Sequence, residues 1–173
     1  TEFYINGSVR SGSLEGDLVI KGYGDPSLSS KELPDIVAQI KEKGIGHING
    51  NVIIDRSYFD VGDEDSSHFD NYPYSAYNAM PDAMMFNERT STVGILPRSR
   101  SVYKEIEDPS YTVVNNVKFV DRSCSGKYAW AGSRVEMQSS IPKLILQGEL
   151  SKHCKERKVC MIVAKPYLSL IHI

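Results

Sequence analysis

GDLVIKGYGDPSLSSKELPDIVAQIKEKGIGHINGNVIIDRSYFD, residues Gly16–Asp60, decides how the rest of the chain is read. Leu18, Val19 and Ile20 form a short apolar run that the turn formers Gly22, Gly24, Asp25 and Pro26 end. Leu33, Ile36, Val37 and Ile40 then recur at helical spacing, on one face of one helix. Ser30 is placed to cap that helix, Pro34 is tolerable only in its first turn, and Gly44 is the left-handed stop after Lys41 and Lys43. Val52, Ile53 and Ile54 make a second buried run. Two apolar runs joined by a helix predict a β-α-β unit with parallel strands and a right-handed crossover.

Outward from this unit, residues 2–5 and 14–21 read as neighbouring antiparallel strands around a turn at Ser11-Gly12. Phe59 to Tyr77 is rich in turn formers, carboxylates and tyrosines, and reads as a loop with something to hold. Strands are expected over 83–87 and 92–96, and a charged, mobile connection over 97–109. The β-branched content of Tyr111 to Val120 predicts a strand. Three more follow at 134–138, 143–150 and 159–164, the last two joined by a basic hairpin loop from Ser151 to Lys158.

The expected class is α+β: a β-α-β domain over 1–80, a nested mainly-β subdomain over 81–150, and a return loop and strand over 151–167. Residues 168–173, LSLIHI, match the translation of a transposase-end adapter used in DNA library preparation and are set aside as an adapter-derived tail.

Composition narrows the functions. With 173 residues the chain can bury a core, and its 20 basic and 22 acidic residues give a net charge of −2, which supplies no overall field for nucleic acid. No apolar run approaches the roughly 18 residues that suggest a membrane span. Cys124, Cys154 and Cys160 are too few for a disulfide framework and lack paired zinc spacing. In an oxidising compartment Cys124 would pair with Cys154 or with Cys160.

Several motifs invite chemistry and fall short of it. Gly22-Tyr-Gly24 and Gly44-Ile-Gly46 do not complete a dinucleotide fingerprint, because Ser27 and Asn49 stand where the third glycine is needed. Asp60, Asp63, Glu64, Asp65 and Asp70 cluster without the spacing of a calcium loop. His47, His68, His153 and His172 are scattered, so neither a metal nor a cofactor is expected. Lys152, Lys155, Arg157 and Lys158 form a basic patch with no interleaved aromatic on which bases could stack. Ser140-Ile-Pro-Lys143 has the S-x-x-K form of a penicillin-reactive nucleophile, but Pro142 and a strand-like run follow it where a helix is required. No S-x-N or K-T-G occurs in the chain, and no catalytic residue is assigned.

Three stretches together suggest a family: GSLEGDLVIKGYGDPSL (Gly12–Leu28), INGNVIIDRSYFD (Ile48–Asp60) and YNAMPDAMMFN (Tyr77–Asn87). They resemble the D-alanyl-D-alanine carboxypeptidase/endopeptidase family, the class C low-molecular-mass penicillin-binding proteins. The likeness runs from Thr1 to about Pro166 and is most specific between Gly12 and Asn87; beyond Pro97 only the order of strands matches.

That family carries a long insertion between S-x-x-K and S-x-N, and the resemblance makes this chain the insertion, without its catalytic motifs. Ser140 then falls on an insertion strand. The parent enzyme implied is a periplasmic or envelope-bound serine peptidase cleaving peptidoglycan stem peptides through an acyl-enzyme, with β-lactams binding the catalytic domain outside this chain. Part of the insertion shapes a pocket for a diaminopimelate side chain, using an acidic residue and an aromatic. Counting back from Asn87 places Asp70 at the acidic position, and the aromatic position falls on Ser75, beside Tyr74. The rival expectation is a stand-alone, non-catalytic binding or scaffold module of the envelope.

Overall fold

The hairpin expected before the β-α-β unit is longer than its pattern suggests. In the computed structural model, which describes residues 1–62, 66–67, 70–137 and 141–162, β1 (Glu2–Arg10) pairs antiparallel with β2 (Ser13–Lys21), from Glu2↔Lys21 to Arg10↔Ser13. Ser11 and Gly12, both at positive φ, close it as a two-residue turn. Helix α1 (Leu33–Glu42) follows, then β3 (His47–Ile48) and β4 (Val52–Asp55), and β2 runs parallel to both. The β-α-β reading therefore stands.

The helix ends are a mixed result. Pro34 lies in the first turn, and Gly44 adopts φ +80 while its N–H reaches the Lys41 carbonyl at 2.9 Å, as a C-terminal stop requires. Ser30 is not the cap. Glu32 holds that position and its carboxylate turns back to the Ser29 N–H at 2.8 Å, while the Ser30 N–H is taken by the Asn87 side chain at 3.0 Å. Nor is the 52–54 run buried: Ile53 is 41% exposed, on a strand that among the described residues pairs with β2 alone. Leu14, Leu18 and Ile45 form the core here, with Ile40 and Ile48 packed against them.

The remaining strands make two three-stranded sheets. In the first, β5 (Ser91–Leu96) lies between β6 (Ser101–Lys104) and β10 (Arg157–Met161), all antiparallel. In the second, β9 (Lys143–Ser151) lies between β7 (Thr112–Val120), its parallel neighbour, and β8 (Gly132–Glu136), its antiparallel one. Val93 and Ile95 from one sheet share a core with Leu144, Leu146 and Leu150 from the other, and Tyr111 and Cys154 complete it. The molecule is α+β, mostly strands in three small sheets with one helix among the described residues.

Three expectations fail for one reason: a local pattern does not fix a pairing partner. Residues 83–87 are not a strand, although Ala83, Met84 and Phe86 are buried. They pack as a loop whose Ala83 carbonyl accepts the Gly24 N–H at 2.6 Å and which ends in a 3-10 turn at Phe86–Arg89. The charged stretch 97–109 holds a strand, β6. The basic loop after β9 is not a hairpin, since β9 and β10 belong to different sheets.

Two compact units result, one from the described parts of 1–65 and 80–89, the other from those of 66–79 and 90–169. The tail 168–173 lies outside the described residues.

Candidate recognition site

Asp70 opens an Asx turn, the local fold that a short carboxylate favours by competing for nearby N–H groups. Its Oδ1 accepts the Tyr72 N–H and the Asn78 side-chain amide, each at 2.8 Å, and its Oδ2 accepts the Tyr77 hydroxyl at 2.8 Å. The Asn78 amide also reaches the Tyr72 carbonyl at 3.0 Å, and a 3-10 turn at Ala76–Asn78 closes the loop. Partial desolvation raises the Asp70 pKa, but the donors from Tyr77, Tyr72 and Asn78 outweigh it and hold the carboxyl below its ordinary value. The group is anionic at neutral pH. An ionised carboxylate offers about four acceptor positions, and three donors among the described residues occupy it.

The anchoring of this loop differs from expectation. Ser75 bridges Met161 at the end of β10, and the Tyr74 carbonyl accepts the Ile162 N–H at 2.8 Å. Asp70 and Tyr74 are thus carried by the second unit, not by the β-α-β unit that precedes them in sequence. Tyr74 enters through its backbone, whereas the phenol on the carboxylate is that of Tyr77, 67% exposed. Spacing of seven residues to Asp70 across a turn-rich stretch gave no periodic signal for that pairing.

Other candidates separate cleanly. Asp63, Glu64, Asp65 and His68 lie outside the described residues, as does Ser140, and no group of three or more metal-ligating side chains converges among the residues described. Cys124 and Cys154 form a disulfide with an S–S distance of 1.98 Å, which resolves the pairing left open by sequence, and Cys160 is free and exposed.

Two clusters had no sequence signal. Asp82, 1% exposed, accepts Arg56 Nε at 2.8 Å and Arg56 Nη2, lies 3.6 Å from Arg89 Nη1, and takes the Met84 N–H at 2.8 Å. It clamps the end of β4 to the 80–89 loop, within one unit. At the ends of β1 and β2 away from the Ser11-Gly12 turn, the Glu2 carboxylate accepts the Tyr23 hydroxyl at 2.5 Å and the Tyr4 hydroxyl, and those bonds lower its pKa.

Comparison with known proteins follows the same direction as the fold. The family profile matching residues 1–173 is that of D-Ala-D-Ala carboxypeptidase 3 (S13). D-alanyl-D-alanine carboxypeptidase DacB of Haemophilus influenzae (strain ATCC 51907 / DSM 11121 / KW20 / Rd) is 32% identical over 83 residues, 48% of this chain and 17% of that protein. The crystal structure of penicillin binding protein 4 (dacB) from Haemophilus influenzae superposes with a TM-score of 0.64 at 18% identity, covering 98% of this chain and 38% of that one. Its complex with a novel β-lactam gives 0.55 at 20% identity, covering 98% and 35%. At such identities the structural likeness speaks for the fold alone. The chain spans well under half the length of these relatives.

Proposed function

The chain belongs to the D-Ala-D-Ala carboxypeptidase 3 (S13) family, and from that membership we propose that it is the insertion of a serine-type D,D-carboxypeptidase/endopeptidase of peptidoglycan stem peptides, contributing recognition and not the nucleophile. The observation that carries this reading is the Asp70 carboxylate, held below its ordinary pKa by three donors among the described residues. Such a group favours a ligand bearing an ammonium over one with a neutral side chain. Diaminopimelate carries that ammonium in the stem peptide, and Tyr74 or Tyr77 supplies the adjacent ring.

Two further features support it. The chain leaves the first unit after 65, returns for 80–89 and leaves again, so two compact units alternate along the sequence, in keeping with an insertion that carries a subdomain of its own. The Cys124–Cys154 disulfide fits an oxidising compartment such as the periplasm. No helix among the described residues is long and apolar enough to cross a membrane.

The nucleophile half is tested by incubating the 173-residue chain with a fluorescent penicillin. No covalent label is expected, and stoichiometric acylation of Ser140 refutes the assignment. The recognition half is tested in the full-length polypeptide with Asp70→Asn. A charge-assisted hydrogen bond contributes about 1.5–3 kcal/mol, so KM for diaminopimelate peptides should rise on the order of tenfold to a hundredfold. Peptides with a neutral side chain at that position should be unaffected; an equal loss on both would remove Asp70 from recognition.

A further inference from the structure

The basic stretch after β9, residues 151–158, holds no aromatic residue of its own. The fold supplies one from elsewhere. The Cys124–Cys154 disulfide staples residues 151–158 to the loop 121–131 that precedes β8. Arg157 then lies with its guanidinium carbon 4.7 Å from the Trp130 ring centroid, and its Nε donates to the Ala129 carbonyl at 2.9 Å. Lys127 stands 4.9 Å over the Tyr128 ring. Cations and rings therefore alternate across two loops that the sequence keeps about 30 residues apart.

The charge of this surface opposes that of the chain. Arg122, Lys127, Lys152, Lys155, Arg157 and Lys158 face only Asp121 and Glu156 within the two loops, a surplus of four positive charges in a chain whose net charge is −2. Asp121 is occupied by Lys152 at 2.6 Å and His153 at 2.7 Å, while Glu149 and Glu105 outside the loops take Lys127 at 3.4 Å and Lys158 at 2.7 Å. These are exposed pairs that an anionic ligand can displace at little cost. Arg122 and Lys155 are exposed and have no carboxylate partner among the described residues.

Trp130 is 62% exposed. Arg157 lies over its ring, and the same guanidinium reaches Cys124 Sγ at 3.2 Å, at the staple whose flanking residues include Arg122 and Lys155. A lipid surface asks for a wider apolar face, and Trp130 is the only large exposed apolar side chain in these loops. A single-stranded nucleic acid asks for successive ring platforms. One ring with flanking cations matches a sugar whose neighbours carry phosphate.

We propose that the stapled loops 121–131 and 151–158 form a docking site for a phosphate-bearing glycan of the bacterial envelope, with Trp130 receiving a sugar face and Arg122 and Lys155 receiving phosphates. This goes beyond the peptidase reading and does not involve Asp70.

Trp130 is the chain's only tryptophan, so its emission reports on this site alone. The protein is titrated with a disaccharide carrying two phosphates, and separately with the unphosphorylated disaccharide, inorganic phosphate, an oligothymidylate and anionic phosphatidylglycerol vesicles. The bisphosphorylated disaccharide should shift the emission, with affinity falling about tenfold between about 50 mM and about 500 mM salt. The double variant Arg122→Ala/Lys155→Ala, which keeps the disulfide and the Arg157 stack, should bind about tenfold more weakly. Trp130→Ala, followed by calorimetry, should lose a similar factor; far-ultraviolet circular dichroism checks that both variants remain folded. Unchanged emission with the bisphosphorylated sugar, equal binding of the neutral sugar or of free phosphate, tighter binding of vesicles or oligonucleotide, or full affinity in either folded variant overturns the proposal.

Discussion

A carboxylate that is 1% exposed needs cations and N–H groups in place of its lost water, and Asp82 receives both from Arg56, Arg89 and the Met84 amide. Removing it should cost about 2–3 kcal/mol in urea denaturation, below the value for a fully buried pair because both arginines keep access to water. An Asp82→Ala variant within about 0.5 kcal/mol of the parent would show that the clamp contributes little. Tyr111 poses the opposite problem. Burial first, and then the Asp108 charge, push its phenol up to about 12 from an ordinary 10.0. The raised value means that the folded state prefers the neutral phenol, so its contribution is intact below pH 10 and lost as pH rises through about 12. Alkaline titration by tyrosinate absorbance should therefore show a late component to which Tyr111 contributes beside Tyr23 and Tyr103, whose hydrogen bonds to Glu2 and Glu156 also raise them; Tyr111→Phe should remove part of that component, and an unchanged late amplitude would contradict the burial. Asp70 works the other way. Its depressed carboxyl stabilises its loop above the ordinary aspartate range and loses that effect as pH falls through the folded value. None of these three environments had a signal in local sequence, because each needs partners brought from another segment or from a turn without periodicity.

At the level of elements, the reliable features were those written in backbone chemistry. Pro34 in the first turn of α1, Gly44 at its end and the Ser11-Gly12 turn all stand where their conformational preferences put them. The Phe86–Arg89 turn was illegible for the complementary reason. Asn87, Glu88 and Arg89 take φ of 49, 52 and 57, a conformation that L side chains resist, and only tertiary contacts such as the Asn87 amide on the Leu28 carbonyl hold it. Strand partners were equally hidden, and β6 shows what decides one. Tyr103 of β6 sits opposite Gly94 of β5, where an added Cβ would lie 2.2 Å from the ring. Gly94→Ala should destabilise the second unit by about 1–3 kcal/mol through that overlap. Adding Tyr103→Ala should recover part of the loss by double-mutant cycle, and strict additivity of the two changes would argue against the contact.

For the whole molecule, each unit has its own hydrophobic core, so calorimetry should resolve two unfolding transitions. Reduction of Cys124–Cys154, which closes a segment of sequence separation 30, should lower only the second unit's transition, by the equivalent of about 3–4 kcal/mol. One merged transition shifted as a whole would contradict independent cores. The sequence by itself determined the β-α-β unit, the predominance of strands and the family, because these rest on periodicity, turn chemistry and short motifs confined to neighbouring residues. Only the tertiary structure decided that β9 and β10 separate into different sheets, that Cys154 pairs with Cys124, and that the Asp70 loop hangs on β10. It alone brought Trp130 to the basic loop. Each of these depends on which distant surfaces exclude water together, and buried area is shared by segments whose local patterns carry no information about one another.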